Sequence, residues 1–184
     1  LPFGAFAQSD VGQQLALAAA QSLEEENREA TIIGKCGDNL QWSLSSDGVL
    51  TIDGTGEMYD YDPDDSPAPW YTRRNKINTI IANSGMTHIG NSAFYDCSSL
   101  IAVTIPDSVI SIGGDAFALC SSLGSVEIPD SVTSISSGAF RYCTALASVV
   151  IPESITSIGT NAFAYCSSLA SINIPNSVTS IGYS

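Results

Sequence analysis

The sequence is poor in the residues that usually carry chemistry. It has one histidine, His88, so any catalysis that needs an imidazole would have to use that side chain. Its five cysteines form no Cys-x-x-Cys pair, and without that spacing a structural zinc site is not expected. Basic residues are scarce too: six Lys and Arg stand against nineteen Asp and Glu, a formal net charge of -13. A surface of that sign repels phosphate backbones and anionic headgroups, which argues against nucleic acid and against a membrane surface as partners. No apolar run approaches the roughly 18 to 20 residues that span a bilayer as a helix, so membrane insertion is not expected.

What the chain does have is repetition. With Ile89, Ile112, Ile135, Ile158 and Ile181 as phase marks, the same apolar skeleton returns every 23 residues. Ala-Phe comes five positions after the mark, Cys at eight and Leu at eleven, followed by Ile-Pro and a β-branched residue. A unit this short cannot bury its own apolar face, so a fixed period in the twenties predicts copies stacked into a solenoid. Phe94, Phe117, Phe140 and Phe163 are expected to form a buried ladder. Cys97, Cys120, Cys143 and Cys166, in phase with them, read as small apolar fillers kept as free thiols rather than disulfides. Within a unit, Val103 and Ile105 face one way and Thr104 the other, a short strand that Pro106 ends. Val109 to Ile112 is a second extended stretch, with Gly90, Gly113 and Gly159 as permissive corners, and Ala116-Phe117 is expected to form a single helical or 3-10 turn.

The array should occupy residues 66–184: one degenerate unit, four full units and a partial fifth. A shift of one period places Tyr71 on Phe94, Ile77 on Leu100, Ile80 on Val103 and Met86 on Val109, with Arg74 in the cysteine position and Asn83 in the proline position. Terminal units are expected to be atypical in this way. Residues 31–65 read as a β-hairpin cap. Leu40, Trp42 and Leu44 alternate with polar residues, Ser45-Ser46-Asp47-Gly48 supplies a turn, and Leu50 and Ile52 resume the alternation. Such a cap would cover the first rung. Residues 1–30 differ in character: Leu1 to Ala7 could be the tail of an export signal, and Val11, Leu15, Ala18, Ala19 and Leu23 have helical spacing after Ser9, which reads as either a short amphipathic helix or a linker. At the other end Ile174, Val178 and Ile181 have no covering element, so the last rung is expected either to fray or to pair end-to-end with another copy of the chain.

The string Leu100-x-x-Val103-x-Ile105-Pro106-x-Ser108-Val109-x-x-Ile112-Gly113-x-x-Ala116-Phe117-x-x-Cys120 resembles the BspA-type leucine-rich repeat of bacterial surface proteins. The resemblance covers about residues 66 to 184, and the stretch from Cys36 through Gly54-Thr55-Gly56 to Pro69-Trp70-Tyr71 resembles the module that opens such arrays. It implies a β-rich leucine-rich-repeat solenoid on a secreted or surface-attached bacterial protein, associated with adhesion, and it brings no catalytic residue and no cofactor. The expected role is a non-catalytic module that contacts a protein or glycan ligand. The alternative is a structural spacer within a larger surface protein. A binder should show lateral columns of exposed aromatic or charged side chains, whereas a spacer should show only small polar ones.

Several motifs have simpler readings than the chemistry they suggest. Asp60-Tyr61-Asp62-Pro63-Asp64-Asp65 has the alternating carboxylates of a calcium loop, but Asp65 stands where such a loop needs Gly and Tyr71 where it needs Glu, so it reads as a solvated acidic loop. His88 takes a position held elsewhere by Ser111, Ser134, Ser157 and Ser180, while Cys97 should point into the core, so the two are not expected to form a nucleophile and base. Asp107, Asp130 and Glu153 share a phase and should form an exposed acidic column. The candidate contact residues lie in two further columns. Leu119, Tyr142 and Tyr165, with Asp96 ahead of them and Tyr95 alongside, vary at the positions between Phe and Cys, and Tyr is enriched at interface hot spots. The competing column is the outward strand position of Ile81, Thr104, Glu127, Val150 and Asn173, the usual recognition face of leucine-rich repeats by family resemblance.

Overall fold

The computed structural model describes residues 31–183. The expected export segment and the helical spacing within residues 1–30 lie outside the described residues. The first three strands, β1 (Ile32–Lys35), β2 (Leu40–Leu44) and β3 (Val49–Gly54), form an antiparallel meander. Leu40, Trp42, Leu44, Leu50 and Ile52 turn inward and are buried, so the alternation in the sequence marks the two faces of the sheet. The β2–β3 turn closes with the Gly48 N–H donating to the Ser45 carbonyl at 3.1 Å, and Gly48 has a φ of 87°, where a side chain would be strained.

The meander leads directly into the array. After β4 (Gly56–Glu57) and a 3-10 helix (Tyr71–Lys76) come β5 (Thr79–Ala82) and β6 (Met86–Ile89). β3 pairs parallel with β5, and β4 pairs parallel with β6, so strands from outside the repeats cover both edges of the first rung. The repeating units then add β7 (Ala102–Thr104), β8 (Ser111–Ile112), β9 (Ser125–Glu127), β10 (Ser134–Ile135), β11 (Ser148–Val150), β12 (Ser157–Ile158) and β13 (Ser180–Ile181). Among the described residues there are three sheets, ordered β1-β2-β3-β5-β7, β4-β6-β8-β10-β12-β13 and β9-β11. Ile135 pairs with Ile112 on one side and Ile158 on the other, so equivalent residues lie directly above one another.

Between the sheets runs the aromatic ladder. Phe94, Phe117 and Phe140 are fully buried, and Phe163 packs half-buried against the same core. Adjacent ring centroids are 5.2, 5.4 and 5.6 Å apart, and the last two pairs are within 4° of parallel. The ladder does not begin at Tyr71, as the alignment of units predicts. Trp70 stacks on Phe94 instead, at 5.6 Å and 18°, while Tyr71 stays half-buried in the 3-10 helix. An indole is large enough to fill the end of the column from one residue earlier, and its Nε1–H donates to the Ala93 carbonyl at 2.8 Å.

The Ala-Phe segments are overlapping turns rather than continuous helix, and the 3-10 helix at Tyr71–Lys76 belongs to the degenerate unit. Backbone N–H groups there alternate between two jobs. Ala93, Tyr95 and Cys97 bond back to carbonyls three residues earlier, whereas Ser92, Phe94 and Asp96 donate upward to Gly114, Ala116 and Ala118 of the next unit. The turns are therefore held within the unit and between units at once. Gly90, Gly113 and Gly159 are needed for close approach rather than for unusual backbone angles: a Cβ at Gly113 would collide with Asn91.

All five cysteines are free and buried. The thiols of Cys120, Cys143 and Cys166 donate to the carbonyls of Phe94, Phe117 and Phe140 at 3.1 to 3.2 Å. Each thiol thus fills space and also bonds to the rung before it. Burial pushes the Cys97 and Cys143 thiols up to about 12, so they stay protonated and unreactive.

Candidate functional site

The turn face is built by the backbone before any side chain is considered. Where bonds within and between units alternate, two residues per unit have positive φ. At the first position stand Ser92, Asp115, Gly138 and Asn161, all small or polar residue types. At the second stand Asp96, Leu119, Tyr142 and Tyr165, with φ of 57°, 64°, 61° and 62°. A left-handed conformation costs a side-chain-bearing residue about 1–2 kcal/mol, and only Asn and Asp offset it by local hydrogen bonding. Leu119, Tyr142 and Tyr165 have no such compensation. Strain of this kind concentrates at functional surfaces.

Those bulky side chains form a stacked column. The Tyr142 and Tyr165 rings are parallel within 6°, with centroids 4.4 Å apart. Tyr165 is 65% exposed, and Leu119 and Tyr142 are half-buried. The Arg141 guanidinium lies 5.5 Å from the centre of the Tyr142 ring and bonds Asp115 at 3.1 Å. At the start of the array Arg74, at the cysteine phase, pairs with Asp96 of the next unit at 2.8 Å and lies 4.1 Å over the Tyr71 ring. Tyr95 is half-buried one residue before Asp96, in phase with Arg141 rather than with the stacked tyrosines.

The strand-face candidates sit elsewhere on the unit. Thr104 and Glu127 are exposed on β7 and β9, paired in register with Ile81 and Val150. β7 and β9 do not join in one sheet, and a cavity of about 300 Å³ opens there, lined by Val103, Thr104, Ile105, Asp107, Glu127 and Pro129. Thr104 and Glu127 therefore share a cleft, apart from the tyrosine stack on the turns. Asp107, Asp130 and Glu153 are exposed along the proline edge.

The remaining motifs serve the junction between meander and array. In the acidic loop, Asp62 Oδ1 accepts the N–H groups of Asp64 and Asp65, and Asp60 Oδ1 accepts that of Asn91 at 2.7 Å. His88 lies between Ser111 and Asp60, with Nδ1 2.8 Å from Ser111 Oγ and Nε2 3.5 Å from Asp60 Oδ1. Sequence reasoning missed this cluster, although the 23-residue offset between His88 and Ser111 signals their adjacency. In a serine nucleophile system the hydroxyl meets Nε2 and the carboxylate meets Nδ1, the reverse of the arrangement here. Cys97 is buried in the core cluster, as its phase predicts.

Comparison with known proteins agrees with this architecture. The sequence profile described as "BspA type Leucine rich repeat region" matches residues 70–184 in six copies. No curated protein matches the chain. Among solved structures, a leucine-rich repeat protein from T. pallidum is 30% identical with a TM-score of 0.57, covering 80% of this chain and 64% of that one. A leucine-rich cell surface protein from Faecalibacterium prausnitzii A2-165 is 26% identical with a TM-score of 0.50, over 84% of this chain and 52% of that one. A leucine-rich repeat protein from Eubacterium ventriosum shares the fold at 23% identity and a TM-score of 0.53, over 84% of this chain and 62% of that one. The chain thus spans less than two thirds of the length of each of these structures.

Proposed function

The chain belongs to the BspA-type leucine-rich repeat family, and from that premise we propose that it is a non-catalytic binding module of a secreted or cell-surface bacterial protein. Leucine-rich repeats are generally protein-interaction modules, and BspA-type members are commonly surface proteins. The ligand is a protein or glycan, contacted through the turn-face column of Leu119, Tyr142 and Tyr165, with the meander at residues 31–65 acting as the cap of the array. The observation that carries this reading is the stacked Tyr142–Tyr165 pair held at positive φ, half-buried at Tyr142 and exposed at Tyr165. Bulky residues at positions that favour Gly or Asn cost stability, and presenting the edge of a two-ring stack, open at Tyr165, gives that cost a function.

The strand face is the weaker candidate because Thr104, Glu127 and Val150 offer no aromatic anchor. Among the described residues no helix is long and apolar enough to cross a membrane. The test is capture of host matrix proteins and glycans on an array, comparing the native chain with the double variant Tyr142→Asn/Tyr165→Asn. Asn is suited to the left-handed region, so the fold should survive. Binding that disappears in the double variant supports the reading. Unchanged binding with the fold intact would remove the turn face as the contact surface.

A further inference from the structure

We infer that the ligand of the turn face is an extended protein segment, with acidic side chains at one end that meet Arg73 and Lys76 and apolar side chains further along that meet Leu119 and the tyrosine stack. The inference rests on the reading of the tyrosine column as the contact surface and specifies the class of partner. Its first support is that the 3-10 helix Tyr71–Lys76 is itself the opening rung of that face. Trp70 stacks on Phe94, and its Nε1–H donates to the Ala93 carbonyl. Arg74 pairs with Asp96, and the Ser99 hydroxyl donates to the Asn75 carbonyl at 2.7 Å. The three polar contacts join residues 23, 22 and 24 apart in sequence, each within one residue of the repeat. Arg73 therefore stands one rung ahead of Asp96, in the phase of Leu119, Tyr142 and Tyr165.

The second support is charge. Arg74 and Arg141 are paired with Asp96 and Asp115, whereas Arg73 and Lys76 are exposed and make no ion pair among the described residues. The two stand one turn apart in a helix of three residues per turn. In a chain with nineteen acidic and six basic residues, neighbouring free cations form a local site for carboxylates, which charge-assisted hydrogen bonds would hold. From Leu119 to Tyr165 no unpaired cation accompanies the column among the described residues. A polyanion would find partners only at the first rung and meet the field of a net charge of -13 along the rest. A peptide with its acids confined to one end avoids that repulsion and sets apolar side chains against the ring edges. Length agrees as well. Four rung spacings of about 4.8 Å put Tyr165 about 19 Å from Arg73, which roughly six residues of extended chain cover at about 3.3 Å each.

The experiment is selection of a displayed library of random dodecapeptides on the full chain, followed by fluorescence-polarisation titration of the enriched peptides. They should carry Asp or Glu about six residues from aromatic or aliphatic side chains. Replacing those acids by Asn or Gln should weaken binding to the native chain at least about fivefold, and change binding to Arg73→Ala/Lys76→Ala less than about twofold. Tyr142→Asn/Tyr165→Asn should weaken the unaltered peptides at least about tenfold. Enriched peptides without acids at that spacing, or acid replacement that weakens the native chain and Arg73→Ala/Lys76→Ala equally, overturns the inference. So does a library from which nothing enriches, and the tyrosine column is then judged by its own array test. Peptides lost in the tyrosine variant but held by Arg73→Ala/Lys76→Ala leave the column as the contact surface and remove only the acidic end. Peptides held equally by both variants and the native chain overturn both readings. A galacturonate hexasaccharide that binds more tightly than every enriched peptide would assign the site to acidic glycans instead.

Discussion

Trp70 stacks on Phe94 at 5.6 Å and takes the ladder place that the repeat alignment gives to Tyr71. The indole also meets Trp42 edge-on at 5.6 Å, so one side chain joins the meander to the first rung of the array. Trp70→Ala should therefore cost about 3–5 kcal/mol, whereas Tyr71→Ala, in the half-buried 3-10 helix, should cost well under half of that. Urea denaturation of the two variants checks the assignment, and equal losses would contradict it.

Phe140 lies in the middle of the ladder, fully buried and stacked on Phe117 and Phe163. Phe140→Ala should cost about 3–5 kcal/mol, since the neighbouring rungs are fixed by interunit hydrogen bonds and cannot close the cavity. A loss under about 1 kcal/mol in a denaturant melt would show that the ring is not a packed ladder member.

The cysteine column makes stability fall in alkali. Folding moves the Cys97 and Cys143 thiols from about 9 to about 12, through desolvation by burial. Above about pH 9 the unfolded chain releases protons that the folded chain keeps, so stability is full below that value and declines as pH rises toward about 12. Thermal melts from pH 7 to 11 should show this decline, and Cys143→Ala should make it shallower. An unchanged slope in that variant would locate the titrating group elsewhere.

Backbone strain on the turn face can be relieved without touching the core. Leu119→Asn places at φ 64° a residue that tolerates it and should stabilise the array by up to about 1 kcal/mol, less whatever the half-buried leucine contributes. Gly138→Ala should do the opposite, because its added Cβ at φ 66° meets the Asp115 carboxylate that holds Arg141. Melting temperatures that move together in the two variants would contradict the strain account.

Much of the fold was legible because period and burial coincide. The in-phase Ile, Phe, Cys and Leu residues report the stacked strands and the ladder between the sheets, and the alternation of Leu40, Trp42 and Leu44 reports the meander. Trp70 escaped because the indole reaches the ladder from a neighbouring position, which alignment by offset cannot register. The tyrosine column was visible as a shared phase, but its positive φ was not, since Leu and Tyr are residue types that rarely signal a left-handed turn. The bridge of His88 to Asp60 joins the acidic loop to the array across a stretch with no repeat, so no period pointed to it.

The central claim, that the turn face and not the strand face meets the ligand, is tested most directly by amide hydrogen exchange of the native chain with and without a ligand selected from protein and glycan panels. New protection is expected around Leu119, Tyr142 and Tyr165, with the amides of β7 and β9 unchanged. Protection confined to Thr104, Glu127 and the cleft between those strands would contradict it.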